Sequence, residues 1–248
     1  MLKEFPADLH IHSCLSPCAS SEMIPPNIIN MAKLIGLKII AICDHNSSKN
    51  VEAFMKAAGS EILVIPGMEV QTVEEVHVLC YFRDLCHMEK FDKFINEGLL
   101  YKKNVPEIFG SQLIIDEKGD IRGVEEKLLL TSVKYSINEV YSKVKELEGI
   151  FIPAHIDRMS YSIISNLGFI PPDIIPDAIE ISKNALNDEA VLKILIKEDK
   201  AVICSSDAHN LIDMALPPKT FFLMEDLNIS EFFKCIKEQG GRRVAIRA

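Results

Sequence analysis

The stretch Ala7-Asp8-Leu9-His10-Ile11-His12-Ser13 reads as a short strand carrying histidines at i and i+2. Strand geometry alternates faces, so both imidazoles project to the same side. Two imidazoles side by side at a strand end are placed to grip a metal ion. The rest of the chain repeats the device: an apolar run, then a His, Asp or Glu at or near its end. Residues 38–43 lead to Asp44-His45-Asn46, residues 61–66 to Gly67-Met68-Glu69, and residues 149–154 to His155. The run 76–82 carries His77, and the run from 201 leads to Asp207-Ala208-His209.

Between these runs lie helical patterns near 26–35, 49–58, 84–97, 137–148, 160–167, 187–198 and 230–239, with further strands at 177–182 and 220–224. Such alternation predicts a parallel sheet in an α/β fold. Ligand-type residues at successive strand ends favour a barrel, whose strand ends converge on one mouth. An open doubly wound sheet would spread them along a crevice, and the chain has no Gly-rich phosphate turn to support one. Residues 98–136 break the rhythm, with two short extended segments around a Gly turn. They are read as an inserted, flap-like segment over the site in a single domain of residues 1–248. Lys102, Lys103 and Lys134 would then help attract an anion; a solvated surface excursion fits the segment equally well.

At 48% hydrophobic and 25% charged, the 248 residues have ample material for a core. The formal charge of −9, without a basic tract, argues against a partner such as long duplex nucleic acid and leaves a small phosphorylated substrate open. Seven cysteines show no small-domain disulfide spacing, and Cys43, Cys80 and Cys204 sit inside apolar runs. A reducing, cytoplasmic setting is expected. The N-terminal residues lack an apolar signal core, and no run reaches the ~18 apolar residues of a membrane helix, so no membrane partner is expected.

Six of the seven histidines, His10, His12, His45, His77, His155 and His209, fall at the strand ends. A single buried histidine is more often a satisfied core residue than a ligand. Six of them, joined by Asp8, Asp44, Glu69 and Asp207, exceed what one four-coordinate zinc requires. They suit two or three ions, which can clamp both the attacking and the leaving oxygen of a phosphoester. His87, at a helix start, stands outside the set.

The motifs AspLeuHisIleHisSer, IleCysAspHisAsn, GlyMetGlu, ProAlaHis and SerAspAlaHis, in this order, resemble those of the PHP (polymerase and histidinol phosphatase) superfamily. The resemblance implies a distorted (β/α)7 barrel and hydrolysis of phosphoesters by water activated at divalent ions, Zn, Mn or Fe. It also implies that His10, His12, Glu69 and Asp207 hold one metal, and that Glu69 bridges to a second completed by His77 and His155. His45 and His209 would hold a third. Where the family adds an Asp or His to that third site, this chain has Pro17 and Cys18. Either Cys18 supplies a thiolate, which favours a softer metal, or the third ion is weakly held or absent. Asp44, with Asp8, is expected to orient ligating imidazoles, and Arg158 falls where the family places a phosphate-binding arginine. The substrate would be a small phosphorylated metabolite, a nucleotide or a short oligonucleotide. The alternatives are an amidohydrolase-type metal enzyme, which typically uses a lysine where this chain has Glu69, and a non-catalytic metal or nucleotide binder.

Overall fold

Short, fully buried apolar runs make the central strands of the computed structural model, which describes residues 1–187, 200–215 and 220–247. In chain order come β1 (Lys3–Ile11), α1 (Pro25–Leu34), β2 (Ile39–Ile42), α2 (Val51–Ala58), β3 (Leu63–Gln71), β4 (His77–Tyr81) and α3 (Leu85–Gly98). The segment that breaks the rhythm holds α4 (Pro106–Phe109), β5 (Leu113–Ile115) and β6 (Ile121–Val124). Then follow α5 (Ile137–Glu146), β7 (Ile150–Pro153), α6 (Ile163–Leu167) and β8 (Ala178–Ile181). β9 (Ala201–Cys204), α7 (Leu211–Met214), β10 (Thr220–Met224), α8 (Ile229–Ile236) and β11 (Arg243–Ile246) complete the described elements. The helix expected over 187–198 falls almost wholly outside the described residues.

Seven strands form one sheet in the order β11-β10-β1-β2-β3-β4-β7, and β8 and β9 form a separate parallel pair. Backbone bonds from Asp177 to Phe151 and from Ile156 to Glu180 stitch that pair to the β7 side. Leu9, Ala41, Ile65, Leu79, Ile152 and Phe222, from six different strands of the large sheet, share one buried cluster with Ala178 and Ile203 of the pair. A flat sheet could not bring these residues together, so the fold is an α/β architecture whose sheet curls into a distorted half-barrel.

The strand–helix alternation predicts a parallel sheet, but the observed sheet is mixed. β4 runs antiparallel to both β3 and β7, and β10 antiparallel to β1 and β11. Only five residues separate β3 from β4. That is a hairpin connection, far short of the crossover a parallel neighbour needs. The reversal has a consequence for the site. His77 opens β4 rather than closing it, and antiparallel pairing carries that opening residue to the same end of the sheet as Gln71, its register partner at the end of β3.

β5 and β6 form the expected hairpin, and Gly119 at φ +86° makes its turn. This segment packs on the loops that follow β1 and β2. The Leu113 amide donates to the Cys14 carbonyl, and Asn50 and Asn46 donate to carbonyls of Leu113 and of Leu129 and Thr131.

Candidate metal centre

Every strand that the sequence marks with a donor delivers it to the same end of the curl. His10 comes from β1 and His12 from just beyond it, His45 from the loop after β2, Glu69 from β3, and His77 from β4. His155 follows β7, and Asp207 and His209 follow β9. Glu69, 1% exposed, is the hub. Its Oε1 lies 2.9 Å from His77 Nδ1, 3.3 Å from His155 Nε2 and 3.4 Å from His10 Nε2. Its Oε2 lies 3.0 Å from His45 Nδ1 and 3.3 Å from His12 Nε2. Asp207 Oδ1 stands 3.3 Å from His10 Nε2 and 3.2 Å from His12 Nε2. The donor atoms gather in three overlapping groups: His10, His12 and Glu69; His45, Glu69 and His77; His12, His45 and His209.

The backbone yields to this convergence. His155 and Asp207 both have positive φ, +29° and +51°, as do neighbouring Asn46 and Tyr161. Non-glycine residues adopt such angles at a cost, which the surrounding structure must enforce.

Two histidines have their free nitrogens defined by a partner behind the ring. His10 Nδ1 donates to Glu180, at 3.0 and 3.2 Å from its two oxygens, leaving Nε2 toward the cluster. His12 Nδ1 donates to Ser16 Oγ at 2.9 Å, and Ser16 in turn donates to Asp44 at 2.7 Å. Asp44 also accepts the Ser13 amide and hydroxyl, so it orients His12 through Ser16 rather than touching an imidazole. Asp8 accepts the amides of His10 and Ser206, and burial pushes its carboxyl up to about 6 against those hydrogen bonds.

The electrostatics are those of a site built for positive charge. Burial opposes charge on His10 and His12, yet Glu180, Asp207 and Glu69 hold His10 well above the ordinary imidazole range. The carboxylates of Asp207 and Glu69, close against its ring, carry His12 to about 9. Burial, then the charge on His12, pushes His209 down to about 4, and burial takes His45 to about 4 despite Glu69. Burial works to raise the Glu69 carboxyl, but His77, His10 and His45 hold it well below the usual range. His45 Nδ1, Glu69 Oε2, His155 Nδ1 and Asp207 Oδ1 are buried without a hydrogen-bond partner. Each such orphan costs about 1–3 kcal/mol, a cost that a bound divalent cation removes from those it ligates. The donors are imidazoles and carboxylates at close quarters, so the residues present fit divalent metal ions.

Cys18 does not join them: it is exposed and belongs to none of the donor groups. Arg158 pairs with Asp207 Oδ2 at 2.5 Å. It lines a cavity of about 150 Å³ with Ser160, Tyr161 and the donors His45, Glu69, His77, His155, Asp207 and His209. Tyr161 stacks on His77, ring centroids 4.7 Å apart. No residue of 98–136 lines this cavity, and Lys102 and Lys134 lie over the rings of Phe109 and Tyr135 instead. Glu180 and Ser16 escape sequence inspection. The signal for Glu180 was a lone carboxylate in the apolar run Ala178-Ile179-Glu180-Ile181, which could not be told from a solvent-facing residue.

Residues 8–156 match the model of the PHP domain. The chain belongs to the PHP domain family. No curated protein matches it. Among solved structures, the lesion-specific endonuclease PfuEndoQ from Pyrococcus furiosus is similar in fold at 22% identity and TM-score 0.70, covering 98% of this chain and 58% of its own. Endonuclease Q in complex with a 27-mer duplex with an abasic lesion at its active site matches at 20% identity and TM-score 0.66, covering 97% and 58%. A two-domain protein from Bacteroides vulgatus containing a predicted PHP-like metal-dependent phosphoesterase matches at 15% identity and TM-score 0.60, covering 99% and 65%. The PHP chain thus spans under two thirds of the length of these three. The duplex complex corrects one expectation. Net charge and the lack of a basic tract argued against long duplex nucleic acid, but a similar fold takes a duplex to its active site. A chain's total charge does not report the local surface that meets a phosphate backbone. Among the described residues, no helix is long and apolar enough to cross a membrane.

Proposed function

We propose that this PHP domain is a metal-dependent hydrolase of phosphoesters, using two or three divalent ions of zinc, manganese or iron. The observation that carries the proposal is Glu69, surrounded by five imidazoles and sharing its cavity with Asp207 and Arg158. His10, His12, Glu69 and Asp207 would hold one ion, and Glu69, His77 and His155 a second. His45 and His209 would hold a third, and their donor atoms gather beside the His12 ring. When bound, such ions lower the pKa of water and neutralise charge on phosphoryl oxygens.

The chain's own residues supply position and charge. Glu180 and the Ser16–Asp44 pair hold the His10 and His12 rings in one tautomer and one orientation. Arg158 presents a planar, permanently charged fork at the cavity, suited to two phosphoryl oxygens. Its tie to Asp207 fixes that fork beside the donors. The substrate is a phosphomonoester or a phosphodiester, a nucleic-acid strand included, and residues 1–248 act as one domain. Cys14, Cys43, Cys80 and Cys235 are buried free thiols, which fits a reducing cytoplasm.

The test is metal content and turnover measured together, with 4-nitrophenyl phosphate and bis(4-nitrophenyl) phosphate as probes. The loaded protein hydrolyses at least one of them, and the chelator-stripped protein does not until metal is returned. Asp207→Ala and His10→Ala lose bound metal and activity together while circular dichroism reports an intact fold. Stripped protein as active as the loaded form would overturn the mechanism.

A further inference from the structure

Beside the metal cavity lies a second, larger one of about 450 Å³, and Arg158 and Ser160 line both. Its floor comes from the ends of two strands. Ser182, Lys183 and Asn184 follow β8, while Ser205 and Ser206 follow β9 directly before Asp207. Ligand pockets of this size are usually lined mainly by hydrophobic and aromatic side chains. Here eight of the ten lining residues are polar, and Met159 and Ala185 are the exceptions.

Half of that polarity is used within the protein: Arg158 pairs with Asp207 and the Ser206 hydroxyl donates to the His10 carbonyl. Asp157 is satisfied by the Ser182 amide and hydroxyl, at 2.7 and 2.6 Å. Among the described residues, by contrast, the side chains of Ser160, Lys183 and Asn184 make no hydrogen bond or ion pair. Ser205 Oγ is buried without a partner. Buried hydroxyls are ordinarily paired, and an unpaired one in a cavity wall marks a place where something else completes the bonding. The free groups are hydroxyls, an amide and an ammonium, which together donate and accept hydrogen bonds to alcohols. They offer no flat apolar wall for an aromatic ring or an acyl chain.

Resting on the phosphoesterase proposal, we infer that this second cavity receives the alcohol side of the ester, and that the alcohol is a hydroxyl-rich, sugar-sized group. Arg158 stands at the junction. The phosphoryl group sits on its metal side and the sugar on its Lys183–Asn184 side. A sugar phosphate can arrive free or within a nucleic-acid strand, and both present the same hydroxyls to this wall.

The experiment compares the metal-loaded full chain with its Lys183→Ala/Asn184→Ala double variant, both replaced residues being exposed and outside the donor cluster. Turnover of ribose 5-phosphate is measured against phenyl phosphate. Calorimetric binding of the non-hydrolysable phosphonate analogue of ribose 5-phosphate is measured against methylphosphonate. The expected result is a wild-type preference for the sugar in both assays, reduced about tenfold in the double variant and, for turnover, through KM. An oligonucleotide carrying an abasic site is run alongside. Loss of turnover in the variant on the free sugar phosphate assigns a free substrate, loss on the oligonucleotide alone assigns a strand, and either supports the subsite. If neither ester turns over while the binding preference is present and lost in the variant, the hydrolase proposal fails and the subsite stands. A preference that the double substitution leaves unmoved, or a preference for the aryl compounds, overturns the subsite.

Discussion

His10 keeps one ring nitrogen on Glu180 and turns the other toward His12 and Asp207. Glu180 also accepts the backbone amide of His155 at 3.0 Å, so one buried carboxylate sets both a ring and a loop of the site. A carboxylate behind a ligating imidazole fixes its tautomer and raises its basicity. Glu180→Gln keeps an acceptor oxygen but removes the charge, and metal affinity is expected to fall by about 10–100-fold. Glu180→Ala leaves two buried N–H groups without an acceptor, at about 1–3 kcal/mol each, and falls further in both affinity and stability. Competition titration with a chromophoric chelator measures the first and urea unfolding the second. Wild-type affinity in Glu180→Gln would remove Glu180 from any role in orienting the ligand.

At the scale of elements, the strand ends were legible because each combines an apolar run with a terminal donor, as 38–45 and 201–209 do. Strand direction was less so: His77 follows too short a connection for a parallel crossover, a cue carried by loop length rather than by residue type. Glu180 and Ser16 were invisible for another reason, since a residue that orients a ligand leaves no spacing pattern of its own. Cys18 shows the converse, a donor-type residue in the right stretch of sequence whose loop leaves it exposed. That loop, residues 13–24, is held by the segment 98–136 through Gly110. With φ at +97°, Gly110 packs its backbone so close to Pro17 that an added Cβ would lie 1.9 Å from the Pro17 carbonyl oxygen. Gly110→Ala therefore has both a strained backbone and a clash, and about 1–3 kcal/mol of stability should be lost. A urea midpoint unchanged from wild type would show that the segment does not dock on the loop as closely as Gly110 implies.

The molecule as a whole depends on closing the β11–β10–β1 edge, and one charged cluster pins it. Glu231, in the first turn of α8, accepts from Arg242 Nε at 2.6 Å and Nη2 at 3.0 Å, from Lys234 at 2.9 Å and from the Glu225 amide at 3.0 Å. Arg242 lies next to β11 and Glu225 next to β10, so Glu231 ties a helix to the edge strand β11 and to its neighbour β10. The hydrogen bond from Arg242, followed by those from Lys234 and the Glu225 amide, lowers the Glu231 carboxyl from an ordinary value near 4.5 to about 2. The folded pKa is the depressed one, so the unfolded chain binds the proton first as acid is added. The contribution is therefore complete above about pH 4.5 and is lost as pH falls toward about 2. Glu231→Gln cannot follow that titration. Its urea midpoint should lie below that of wild type at pH 7, and the gap should narrow steadily between about pH 4.5 and pH 2. Midpoints taken across that range read the gap directly, and an equal gap at pH 7 and pH 3 would mean that Glu231 contributes through shape and not through its charge.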